Sequence, residues 1–331
     1  MEEQTSFTEQ GHEQLQLEEP FYNGSWERSG RGTASAVVLA FLIIGVIYFN
    51  GQAVVASLFL VFNMMSDHGR APNGFFENLE YMADLQKQPI RIAVVVSQFC
   101  LMLAPTVWLI KRWHTKHVTQ YVRYRKSSMM EILLAVAATV CFFPLNEALS
   151  NLVIRILNVP QRFLNIGQKV FTASSGSEFV WLIFVVAVTP AICEEFFFRG
   201  YAQRTLERTM GWKSILVTGV VFGLYHMQPL SLITLIGMGF LFGYLYYRSK
   251  SLFTSMSAHF TNNFLAIYFL YQGSAAAGWF RGMNTPLHWL TLIGSIALLC
   301  FILIVYHFIT MDVREDTSIV EKIQESNQSA L

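Results

Sequence analysis

The sequence predicts an all-α fold, a polytopic membrane helix bundle of about eight transmembrane helices. Of its 331 residues, 53% are hydrophobic and only 14% charged, against roughly 25% charged in an average soluble domain. The charged residues crowd residues 1–32, the stretch after residue 310 and a few short loops, and the runs between them are almost free of charge. Those runs are about 20 residues long, enough to cross a ~30 Å hydrocarbon core as a helix. The net charge of +1 provides no electrostatic footprint for nucleic acid. The expected partner along most of the chain is the lipid bilayer.

The first apolar run, Thr33 to Met65, is long for one crossing and either tilts or breaks at Asn50-Gly51. The second is Ile90 to Ile110, the third Glu131 to Leu149 and the fourth Phe179 to Phe198. The fifth, Ser214 to Met227, is short; Gln228 and Pro229 separate it from the sixth, Leu232 to Tyr247, so the two read as a helical hairpin. The seventh is Leu252 to Tyr271 and the eighth Trp289 to Thr310. "NLVIRILNVPQRFLNIGQKVF", Asn151 to Phe171, mixes apolar and basic residues; a helix lying along the membrane surface and a plain loop fit it equally. The simplest division is a polar tail at 1–32, one membrane domain at 33–310 with its motif core at 180–264, and a second polar tail at 311–331.

Lysine and arginine in short loops set the orientation. "KRWHTKHVTQYVRYRK", Lys111 to Lys126, is the most basic loop; Arg199, Arg204, Arg208 and Lys213 follow the fourth run, and Arg248 and Lys250 the sixth. These alternate with less basic connections such as Ser66 to Gln88, so both termini and the basic loops are expected in the cytoplasm. The acidic start "MEEQTSFTEQGHEQLQLEEP" has no apolar centre and does not read as a signal peptide. The cysteines, Cys100, Cys141, Cys193 and Cys300, lie far apart inside apolar runs and read as ordinary buried thiols.

An ionisable group at the centre of a span costs about 2.5 kcal/mol or more, so each one is a functional candidate. The central ones are Glu194, Glu195, His226 and His259; Glu147 and His307 lie nearer span ends. Counted from the span starts, Glu194 is about 22 Å in, His226 about 18 Å and His259 about 10 Å. With the fourth span running inward and the fifth and seventh outward, they reach similar levels in the cytoplasmic half of the core. The expected site is a cavity opening to the cytoplasm. Glu195 and Arg199 are four residues apart and can pair on one helix face, which turns Glu194 about 100° away, toward the cavity. Phe222 and His226 share a face, as do His259 and Asn263. Pro190 removes one backbone bond just before the carboxylates and can kink the helix.

These residues, "EEFFFRG" (Glu194 to Gly200), "FGLYH" (Phe222 to His226) and "HFTNN" (His259 to Asn263), resemble in order the EExxxR, FxxxH and HxxxN motifs of the CPBP family. That family holds intramembrane proteases related to the type II CAAX prenyl endopeptidases and to bacteriocin-immunity proteins. The resemblance covers residues 180–264. It implies a glutamic endopeptidase without a cofactor. Glu194 is then the catalytic glutamate and His226 its partner in activating water, with His259 and Asn263 stabilising the oxyanion. Glu195 and Arg199 support the catalytic helix. The residue types suit peptide hydrolysis, which needs a base for water and donors for a tetrahedral oxyanion; a carboxylate in apolar surroundings gains basicity.

Two rival readings stay open. Glu194, His226 and His259 also form a His2Glu donor set for Zn2+ with an open position, although no HExxH helix is present. Buried acids and histidines also build proton relays, so a transporter or a non-proteolytic partner protein of the same fold is the alternative from another class. No inverted repeat supports transport, and a proton flux dependent on Glu194 would favour it. The substrate is a peptide or membrane protein. Nothing in the chain encodes a requirement for a lipidated one.

Overall fold

The computed structural model describes residues 21–66, 79–159, 169–273 and 286–311, and among them there are helices and no strands. A short helix, α1 (Ser25–Arg28), precedes α2 (Thr33–Ser66). α3 occupies residues 79–114, with π-helical stretches at Ser97–Leu103 and Ile110–His114. After the short α4 (Val118–Tyr121) come α5 (Met129–Ile156), α6 (Gly176–Met210), α7 (Lys213–Tyr225), α8 (Leu232–Ser249), α9 (Leu252–Gln272) and α10 (Pro286–Ile309). Every apolar run is helical. Six helices are long and apolar enough to cross a membrane: those containing Thr33–Phe59, Gln86–His114, Met129–Ile156, Gly176–Met210, Pro229–Ser249 and Trp289–Ile309. α9 is not among these six, and α7 is an apolar helix too short to qualify. The chain is a multi-pass membrane bundle.

α2 does not break at Asn50-Gly51. Asn50 donates its amide to the Val46 carbonyl (2.8 Å), and a Cβ on Gly51 would sit 2.3 Å from Leu101 Cδ1, so the glycine serves a close approach to α3. Of Asn151 to Phe171, the first turns simply continue α5, while 160–168 lie outside the described residues. Most of both expected tails also lies outside them. Part of residues 21–32, however, is packed down: Trp26 is buried against Trp113, and the Gly24 N–H donates to the His114 carbonyl (2.7 Å).

Polar groups gather in two layers at opposite ends of the bundle. At the basic end, Glu27 accepts from Arg208 (2.7 Å) and pairs with His114 (2.5 Å). Burial alone would raise the Glu27 carboxyl, but these two hydrogen bonds outweigh it and hold it down to about 2. Deeper in the same layer, Glu207 takes two hydrogen bonds from Arg123 (2.8 and 3.0 Å) and one from Lys250, all three buried. Arg125 donates to the Lys250 and Ser249 carbonyls, tying the loop before α5 to the α8–α9 turn. At the other end Arg91 is buried and donates to the Val170 and Thr172 carbonyls and to Glu178 (2.9, 2.7 and 2.6 Å). Between the layers the contacts are largely apolar, apart from a buried polar cluster around Glu194, Glu195 and Arg199.

α7 and α8 approach through glycine. A Cβ at Gly239 would meet the Gly219 carbonyl oxygen at 2.6 Å and its Cα at 2.7 Å, both backbone atoms that cannot swing aside. Close helix contact through small residues replaces the hydrophobic driving force that lipid does not supply. Gly239→Ala is therefore expected to cost about 1–3 kcal/mol, seen as a lowered melting temperature in detergent. Gly176→Ala, where an added Cβ meets nothing within 4 Å, should leave it in place.

Candidate active site

The site forms where α6 is irregular. A regular segment, Thr189–Glu195, lies between π-helical stretches at Ile183–Val188 and Phe196–Gln203, and such insertions re-aim side chains and recur at functional sites. Pro190 explains part of this, because it has no N–H to offer the Val186 carbonyl four residues earlier. Asn263 of α9 supplies a donor instead, with Nδ2 2.8 Å from that carbonyl. Its Oδ1 accepts from Asn262 (3.1 Å).

Glu195 and Arg199 pair as their spacing predicts, at 2.8 Å and fully buried. The guanidinium also donates to the Gly239 carbonyl of α8 (3.2 Å) and lies 4.5 Å from the centre of the Phe222 ring. The same Glu195 oxygen holds His259 Nδ1 at 2.8 Å. Phe222 itself is buried, packs against His226 at 4.7 Å and meets the His259 ring edge-on at 5.8 Å.

Glu194 points elsewhere, as expected. Its Oε1 accepts from Gln98 Nε2 of α3 (2.6 Å), and the Gln98 amide also reaches the Tyr48 hydroxyl of α2 (3.2 Å). Its Oε2 is buried without a hydrogen-bond partner among the described residues, 3.8 Å from His226 Nε2 and 4.0 Å from His259 Nε2. Those gaps are too long for direct hydrogen bonds and suit a bridging water. His226 Nδ1 lies 2.8 Å from the Phe222 carbonyl. A carbonyl only accepts, so Nδ1 carries the proton and the neutral ring keeps a lone pair on Nε2. His259 donates Nδ1–H to Glu195 in the same way, so its Nε2 can donate only when the ring is an imidazolium.

These groups line a cavity of about 360 Å³ that also touches Tyr48, Gln52, Phe171, Pro190, Gln228 and Ala266. The expected opening at the basic end is not matched by this lining. Its two exposed residues, Phe171 and Gln228, belong to connections at the opposite end. α6 continues to Met210 rather than stopping at Phe198, so Glu194 lies near its middle, about 24 Å from that helix end.

Residues 176–265 match the family model described as Rce1-like, type II CAAX prenyl endopeptidase Rce1-like. In this segment the chain is similar to the CAAX protease-like CPBP family. No curated protein and no solved structure gives a significant match to the chain. The Rce1-like segment contains Glu194, Glu195, Arg199, Phe222, His226, His259 and Asn263, whereas Gln98 and Tyr48 lie outside it. Sequence reasoning missed both because it looked for ionisable groups. The signal available was Gln98 itself, the one side-chain amide between Ile90 and Ile110.

Removing Glu195 would leave Arg199 buried without its counter-charge. Glu195→Ala is expected to cost about 3–5 kcal/mol, measured as a fall in thermal stability. Part of that loss should return in the Glu195→Ala/Arg199→Leu double variant, which removes both charges.

Proposed function

We propose that this protein is an intramembrane endopeptidase in which Glu194 and His226 activate a water against a peptide carbonyl. The observation that carries this reading is the presentation of one free carboxylate oxygen, Glu194 Oε2, toward the Nε2 atoms of two histidines over a cavity. Gln98 ties down the other oxygen, so the carboxylate cannot rotate away. A water bridging Glu194 and His226 loses a proton to the carboxylate as its oxygen bonds the peptide carbon. The oxyanion that forms is met by His259 as imidazolium and by the Asn263 N–H not spent on Val186. Glu194 then passes its proton to the leaving amine as the C–N bond breaks. The substrate is a peptide or membrane protein, and the family description makes a prenylated C-terminal peptide the first probe to try. Charge in the loops supports an orientation with the basic end and both termini in the cytoplasm.

In lipid nanodiscs, with internally quenched farnesylated and unmodified peptides, Glu194→Gln and His226→Ala should each lower kcat by about 10²-fold or more without changing thermal stability. Turnover at the wild-type rate in both variants would refute the mechanism.

Zinc is the second reading, and one observation favours it. Both histidines commit Nδ1 to an acceptor and turn Nε2 toward the same carboxylate oxygen, as metal-ligating histidines do. Against it, no group of His, Cys, Asp and Glu among the described residues is arranged to hold a metal ion. The metal-free mechanism predicts unchanged turnover in 1,10-phenanthroline and no stoichiometric zinc by elemental analysis. Reversible loss of turnover with one zinc per chain would replace it.

A further inference from the structure

We propose that Gln98 binds substrate as well as anchoring Glu194: its Oε1 accepts the N–H of the peptide bond being cut. The site then selects a secondary amide and rejects a scissile bond to proline or to an N-methylated residue. This rests on the endopeptidase reading and adds a specificity determinant to it.

The hydrogen bonds of the Gln98 amide leave one atom over. Gln98 is 2% exposed and lies in the π-helical stretch Ser97–Leu103 of α3, where side chains leave the regular helical directions. A side-chain amide carries two N–H donors and one carbonyl acceptor. Nε2 donates to Glu194 Oε1 (2.6 Å) and to the Tyr48 hydroxyl (3.2 Å), which uses both of its hydrogens. Oε1 is buried without a hydrogen-bond partner among the described residues. Chemistry fixes this orientation: the amide turned over would set Oε1 against an ionised carboxylate oxygen, acceptor against acceptor. Buried acceptors are nearly always paired, and an unpaired one is costly. A partner that arrives with the substrate accounts for it.

The place of this acceptor matches one group of a bound peptide. Tyr48, Gln98, Glu194, His226, His259 and Asn263 line the same cavity. Glu194 divides it, with Oε2 toward the Nε2 atoms of His226 and His259 and Oε1 toward Gln98. A trans peptide points its C=O and N–H in opposite directions. A carbonyl directed at His259 therefore turns the N–H of the same bond toward the Gln98 side. Amide dimensions put Oε1 about 2.3 Å from Nε2, hence within about 5 Å of Glu194 Oε1. The nitrogen that receives its proton from Glu194 must also lie beside that carboxylate. Neighbouring neutral acceptors are already engaged: Asn263 Oδ1 by Asn262, the Val186 carbonyl by Asn263 and the Phe222 carbonyl by His226. Proline and N-methylated residues have no N–H to offer, so they would bury Oε1 unpaired.

The test uses the full-length protein in lipid nanodiscs and whichever internally quenched peptide, farnesylated or unmodified, the wild type cuts, with the cut bond located by mass spectrometry of the products. A second peptide carries a methyl group on the nitrogen of that bond. The wild type should prefer the N–H peptide by about 10²-fold or more in kcat/KM. Gln98→Met removes the acceptor at similar volume. Both rates should fall as Glu194 loses its anchor, and the preference should shrink below about tenfold. Gln98→Glu, as the neutral acid, can donate to Glu194 and keep a carbonyl acceptor, so the preference should persist in it. A Gln98 that only holds Glu194 would change rates and leave the preference alone, so an undiminished preference in Gln98→Met overturns the proposal. A wild-type preference below about tenfold overturns it too, and that result depends on no variant folding. The two readings fail separately. Wild-type turnover by Glu194→Gln sinks the endopeptidase reading; an inactive Glu194→Gln together with a preference that survives Gln98→Met sinks only the role of Gln98.

Discussion

The arrangement depends on one buried carboxylate. Glu195 accepts from Arg199 and from His259 through the same oxygen, and Arg199 extends the contact to a backbone carbonyl on α8. One carboxylate thereby fixes the relative position of α6, α8 and α9, and sets which nitrogen of His259 faces Glu194. A buried ion pair adds little net stability, but losing one partner is severe because the other charge is left uncompensated. The cluster therefore specifies geometry more than it adds stability. Its neighbour Glu194 has no guanidinium partner: it takes an amide on one oxygen and faces two histidine Nε2 atoms, 3.8 and 4.0 Å away, with the other. Adjacent residues of identical chemistry are thus divided between an ion-paired environment and a cavity wall, with the irregular turns of α6 and the Asn263–Val186 hydrogen bond beside Pro190 setting the angle between them.

Much of this was legible in the sequence, for identifiable reasons. Apolar runs of spanning length located every major helix. Helical spacing assigned Glu195 to Arg199 and turned Glu194 toward the cavity. The ordered motifs brought His226, His259 and Asn263 to one place. Three things were not legible. The extension of α6 to Met210 lay in a polar sequence, "RTLERTM", which hydropathy reads as loop although it is helical and packed against the basic layer. Gln98 was overlooked because an amide in an apolar run costs less than a charge and draws less notice; its meaning comes only from α3 packing beside α6. The engagement of Asn263 with the Val186 carbonyl also needed three dimensions, since it follows from a proline on a different helix.

The comparison and the geometry support each other at different scales. The Rce1-like match covers 176–265, the part that supplies the carboxylates, histidines and asparagine. α2 and α3 lie outside it and complete the site by contributing Tyr48 and Gln98, and by walling the cavity with Gln52 and Val94. The Rce1-like segment is thus enclosed by helices whose sequence helps set the cavity's shape.

The central claim is that Glu194 acts on peptide bonds in the membrane. The most direct measurement compares peptide termini across the native membrane proteome, by terminal-peptide mass spectrometry, between cells expressing the wild type and Glu194→Gln at equal levels. The account predicts a defined set of new termini that appear only with the wild type, from proteins that accumulate uncut on the variant. Identical termini in both would contradict it.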